Sequence, residues 1–106
     1  MNNDKIEFDV HMAEVYGIHK AIIYSVITKE LEAAKLLNSN FFDGRYWVRK
    51  PLDDLYAQLP FITPYKIRIL LSQMVSDNLL LSRCFNEDSF DRTRWFSLPD
   101  ERKEIA

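Results

Sequence analysis

Residues 52–78 read LDDLYAQLPFITPYKIRILLSQMVSDN, and this stretch decides the fold. Leu52, Leu55 and Leu59 recur at helical spacing, so a short helix is expected from Leu52 to about Leu59, where Pro60 stops it. The next start signal is plain: Thr63 offers a hydroxyl to free backbone N–H groups, and Pro64 takes a first-turn position where its missing donor is not needed. That helix is expected to run from Pro64 to about Asn78, a residue suited to a left-handed stop. Ile67, Leu70, Leu71 and Met74 form its inward face, Tyr65, Lys66, Ile69, Ser72 and Gln73 point outward, and Arg68 lies at the boundary. Two helices joined by the tight turn Pro60, Phe61 and Ile62 predict a helix-turn-helix.

Downstream, LLLSRCF and RTRWFSL read as two strands, and the turn-rich NEDSFD between them predicts a hairpin, the wing of a winged helix. Arg92 and Arg94 alternate against Thr93 and Trp95, which places both arginines on one strand face. Upstream, Asp9 is a plausible cap and Gly17 a left-handed stop for a helix Val10 to Tyr16, and a longer helix runs from Ile18 to about Leu37. The apolar residues of this longer helix spread wider than one stripe, which predicts packing on more than one side and offers residues 18–37 as a region for homo-oligomer contact. NSNFFDGR is expected to be a loop turning at Asp43-Gly44, followed by YWVRK as a short strand ended by Pro51. The fold class expected is α+β, mainly α: a winged helix-turn-helix in the order helix, helix, strand, helix, helix, strand, strand. It occupies residues 1–99, with 100–106 as a polar tail.

Composition narrows the chemistry. The chain has 106 residues, 47% of them hydrophobic and 13% aromatic, enough to bury a core without metals or disulfides. Two glycines and no G-x-G or G-K-[ST] string argue against a phosphate-cradling nucleotide site. The single Cys84 can form neither an internal disulfide nor a thiolate zinc site, and it reads as a small buried hydrophobe in a strand. With no apolar segment near the roughly 20 residues of a spanning helix, and no secretory leader pattern, the expected home is the reducing cytoplasm, away from membranes. His11 and Glu14 share a helix face but lack a convincing third ligand, and Asp9, Asp43 and Asp91 read as caps and turn residues. No enzyme, cofactor or metal is expected.

Net charge is -2, against the usual profile of a nucleic-acid binder, but its distribution is uneven. Residues 1–44 carry 4 basic and 7 acidic groups, whereas residues 45–72 carry 5 and 2. That positive block is Arg45, Arg49, Lys50, Lys66 and Arg68, opposed by Asp53 and Asp54. A helix-turn-helix puts its second helix into the major groove N-terminus first, so Thr63, Tyr65, Lys66, Arg68, Ser72 and Gln73 are candidate DNA contacts. Arg83, Arg92 and Arg94 on the hairpin are candidates for the backbone or minor groove. The partner expected is double-stranded DNA, and the alternative is a protein-interaction module that self-associates or docks replication proteins.

Several stretches carry a family resemblance: Asp43 to Val48 (DGRYWV), Leu59 to Phe61 (LPF), Thr63 to Met74, and Phe85 to Phe96, preceded by Ala13, Gly17, Ala21 and Ile22 at regular spacing. Together they resemble the N-terminal winged-helix domain of phage and mobile-element replisome organisers, the DnaD-like replication-initiation proteins. The resemblance spans about residues 8–98, and the Asn-to-Trp hairpin is its most specific part. It implies a winged-helix fold and DNA binding in replication initiation by phage or host replication complexes. Family members continue into a second helical domain, so helicase loading is not carried over to this stretch. The sequence departs from the family at Pro64, Tyr65, Ile69, Ser72 and Gln73, where charged helix-surface residues are common.

Overall fold

The computed structural model describes residues 5–99, so the polar tail expected from residue 100 lies outside the described residues. Within them lies an α+β domain, about half helical. Helix α1 (Val10–Tyr16) begins where the Asp9 carboxylate accepts a hydrogen bond from the Met12 amide at 2.9 Å, and it ends at Gly17. Gly17 has φ 99° and ψ 151°, a conformation closed to side-chain-bearing residues, and this allows α2 (Ile18–Leu37) to leave in a new direction. Helix α2 buries Ala21, Ile22, Ile23, Ile27, Leu31 and Ala34. Left-handed Asn38 (φ 52°) closes it.

The segment expected to be an open loop is instead a hairpin. Strands β1 (Phe41–Phe42) and β2 (Arg45–Tyr46) pair antiparallel across Asp43-Gly44, whose φ values of 55° and 78° match a type I′ turn. Trp47, 1% exposed, anchors the exit by donating its indole N–H to the Phe42 carbonyl at 2.7 Å. Strand β3 (Val48–Arg49) follows, and Pro51 ends it where α3 (Leu52–Gln58) begins. Asp53 and Asp54 sit in the first turn of α3, where carboxylates favour the helix dipole.

Helix α4 (Pro64–Ser76) starts as its sequence demands, the Thr63 hydroxyl accepting from the Lys66 amide at 3.2 Å. It turns out at left-handed Asn78 (φ 63°), where the Leu79 amide reaches back to the Met74 carbonyl at 2.8 Å. Strands β4 (Leu81–Arg83) and β5 (Trp95–Ser97) complete a three-stranded antiparallel sheet in the order β3-β5-β4. The registers are Val48 with Phe96, and Ser82 with Phe96 from the other side. One core joins α2, α3, α4 and the sheet through Ile23, Ile27, Leu31, Leu55, Leu59, Ile67, Met74, Leu80 and Phe96.

Three expectations need correction. Strands β4 and β5 are shorter than LLLSRCF and RTRWFSL, so Arg92 and Arg94 lie outside the strand and Cys84 is exposed rather than buried. The reason is Asn86, whose side-chain amide donates to the carbonyls of Asp91 and Thr93 at 2.9 Å each, replacing the cross-strand ladder. Lys50 also leaves the basic block: it is 4% exposed, and its ammonium donates to Glu30 on α2 at 2.6 Å.

Candidate functional site

The α4 helix and the β4–β5 hairpin enclose a groove of about 350 Å³. Its helical wall is Arg68, Leu71, Ser72 and Val75, which fall on one side of α4 because they recur every three or four residues. On the sheet wall Ser82 sits opposite Phe96, so both share the face towards α4, and Arg94, just before β5, lines the same groove. Leu52 closes the end. Arg68 and Arg94 therefore approach one concavity from two elements, and neither has an acidic partner among the described residues. The floor is apolar, and the Ser82 hydroxyl is buried there without a hydrogen bond.

Of the residues selected from sequence, Arg68, Ser72 and Arg94 come together in this groove. Thr63, Tyr65, Lys66 and Gln73 are exposed on α4 beside it, Tyr65 at 67%. Arg92 is exposed on the hairpin beyond β5. Arg83 pairs with Trp95 and so points to the sheet face opposite Ser82, where it donates to the Ser82 carbonyl at 3.0 Å. Ser82, Val75 and Leu52 were not among the residues expected from sequence, and only the cross-strand register identifies Ser82.

The remaining members of the positive block serve the framework. Arg45 donates to the carbonyls of Leu98 and Pro99, at 2.8 and 3.3 Å, and ties down the exit from β5. Arg49 binds the Asp91 carboxylate at 2.9 Å. Asp91 has its pKa lowered to about 2, chiefly by hydrogen bonds from the Thr93 hydroxyl and amide and then by the Arg49 guanidinium. The hairpin base is further fixed by the Trp95 indole N–H donating to Asn86 Oδ1 at 2.8 Å, and by Phe85 packed against Phe42, Trp47 and Trp95.

A second concavity of about 440 Å³ lies between residues 7–9 and α2, rimmed by Glu7, Asp9 and Glu32, with Lys35. Its acidic rim opposes anionic ligands. Among the described residues no three His, Cys, Asp or Glu side chains converge as a metal-ligand set, and no helix is long and apolar enough to cross a membrane. Compared with family models, curated proteins and solved structures, the chain has no match.

Proposed function

We propose that the chain is a DNA-binding winged-helix domain of the replisome-organiser type, acting in replication initiation. In this reading α4 enters the major groove, and the hairpin between β4 and β5 lies on the backbone or minor groove. Support for the fold assignment comes from the order α2, β3, α3, α4, β4, β5 and from β5 lying between β3 and β4. The observation that carries the function is the groove between α4 and the hairpin, where Arg68 and Arg94 meet without acidic partners on a chain of net charge -2. In the first turn of α4 Pro64 has no N–H and the Lys66 amide is held by the Thr63 hydroxyl, which leaves the Tyr65 N–H for a phosphate, while Lys66, Tyr65 and Gln73 face outward for base edges or backbone.

The test is fluorescence anisotropy with a pool of labelled duplexes at low and near-physiological salt. Wild type is expected to bind in a salt-sensitive manner. A Lys66→Ala, Arg94→Ala double variant is expected to weaken binding and to reduce the salt slope by about two. Absence of wild-type binding at low salt refutes the proposal.

A second reading is a self-associating or partner-docking module. It is favoured by α1, which has no buried residue and exposes Val10 at 66% and Val15 at 55%, continuous with half-exposed Ile18 at the start of the 18–37 helix. Concentration-dependent sedimentation without DNA binding selects this reading.

A further inference from the structure

We infer that Phe90, at the tip of the β4–β5 hairpin, is a wedge that enters the minor groove of duplex DNA and inserts at a base step. The inference rests on the DNA-binding reading and adds to it a contact of a different kind, apolar rather than ionic. Phe90 is 89% exposed, the most exposed large apolar side chain among the described residues. An aromatic ring held in water is unfavourable by its whole apolar area, so a fold that presents one gains nothing from it when unbound.

The mounting of that ring is held by local hydrogen bonds. The Phe90 amide donates to Asp88 Oδ1 at 2.9 Å, and the Asp91 amide donates to the Asp88 carbonyl at 3.0 Å. Asn86 ties the two legs together through the Asp91 and Thr93 carbonyls, and Trp95, 8% exposed, holds Asn86 in turn. A loop already ordered by its own side chains loses little conformational freedom when its tip is buried against a partner.

The two exposed arginines on the leg after the ring favour duplex DNA as that partner. Asp91 is paired with Arg49, whereas Glu87 and Asp88 keep their charges on the turn that precedes the ring, so the acidic side of the tip is the leg before Phe90 and the basic side the leg after it. Arg92 and Arg94 follow the ring by two and four residues, both exposed and both without an acidic partner among the described residues. An apolar side chain followed closely by arginines suits a wedge that unstacks a base step while cations grip the walls of the narrow groove.

The experiment uses the whole chain and an A·T-rich duplex with a central TA step, alongside a G·C-rich duplex and the corresponding single strand. Phe90→Ala is expected to weaken duplex binding about five- to 100-fold, with the salt slope and the thermal midpoint unchanged, because the ring makes no ionic contact and is already in water. Arg94→Ala, by contrast, is expected to reduce the salt slope by about one. In Phe90→Trp, the introduced indole is expected to be quenched and shielded from acrylamide by the A·T-rich duplex more than by the other two probes. If Phe90→Ala binds like wild type while Arg94→Ala does not, the wedge is refuted and the DNA-binding reading stands. A response equal on single strand and duplex also refutes it, in favour of a stacking platform. If wild type binds none of the probes, both fail.

Discussion

Removing the two partners of the Lys50–Glu30 ion pair is predicted to have unequal consequences. The pair joins the end of β3 to α2 at 2.6 Å, with side-chain exposures of 5% for Lys50 and 36% for Glu30. In Glu30→Ala the ammonium stays where water scarcely reaches and loses its counter-charge. Breaking a buried pair from one side costs roughly 3–5 kcal/mol, and partial hydration on the Glu30 side reduces this to about 3 kcal/mol. Helix propensity works slightly the other way, because alanine is the best helix former, so the loss cannot be assigned to α2 itself. In Lys50→Met the buried stem is kept and the orphaned carboxylate is the hydrated one, so the change is within about 1 kcal/mol of zero. Guanidinium unfolding followed by circular dichroism measures both, and in thermal scans the first variant should melt roughly 10–20 °C lower. Equal losses in the two variants, or a larger loss for Lys50→Met, would falsify the assignment of Lys50 as the buried member.

Three further outcomes follow from local geometry. Gly17→Ala should cost about 1–3 kcal/mol in chemical denaturation even though no atom lies within 4 Å of the added Cβ, since the penalty comes from φ 99° and ψ 151° alone. Thr63→Ala should cost about 1 kcal/mol by loss of the hydroxyl that accepts from the Lys66 amide, and Thr63→Ser should restore most of it. Asp91 has a folded pKa of about 2, below its ordinary 3.8, so its contribution is fully present above about pH 4 and is lost as pH falls towards 2. A carboxyl NMR titration should show this, with Thr93→Val and Arg49→Ala each raising the pKa towards its ordinary value.

How far the sequence was legible depended on whether the deciding interaction was local. Asp9 starts α1, Gly17 separates α1 from α2 and Thr63 starts α4, as their sequence signals predict, because capping is settled within four residues; α4 ends at Ser76, two residues before the left-handed Asn78. The β1–β2 hairpin was harder to read, since strands of two residues have no periodicity, although Asp43-Gly44 was the turn signal. Lys50 looked like a surface cation because its partner lies twenty residues away, and no local pattern marks such a meeting. The alternation of Arg92 and Arg94 suggests a strand, yet one side chain, Asn86, takes the carbonyls that a ladder would use. The candidate site divides in the same way. The exposed face of α4 follows from helical spacing, whereas its convergence with Arg94 and Ser82 depends on the register of β4 on β5.

Charge is partitioned by role. Arg45, Arg49, Lys50 and Lys20 each reach a carbonyl or carboxylate on a distant segment: Leu98, Asp91, Glu30 and Asp77. Each fixes one element against another, and a cation held in this way cannot turn to a ligand without releasing its structural partner. Arg68 and Arg94 have no such obligation among the described residues, and they stand on the two walls of the groove. Net charge therefore says little about the groove, whose lining holds Arg68 and Arg94 and no acidic side chain although the total is -2. On the proposed DNA-binding reading the consequence is specific. Glu30→Gln removes an acid from the framework and brings the total charge closer to zero, yet it should leave duplex affinity unchanged under conditions where the variant is folded. Arg68→Ala changes the total by the same amount in the opposite direction and should weaken binding and lower the salt slope by about one. If duplex affinity instead followed net charge, rising with Glu30→Gln as much as it fell with Arg68→Ala, binding would belong to the whole surface and the groove would have no special part in it.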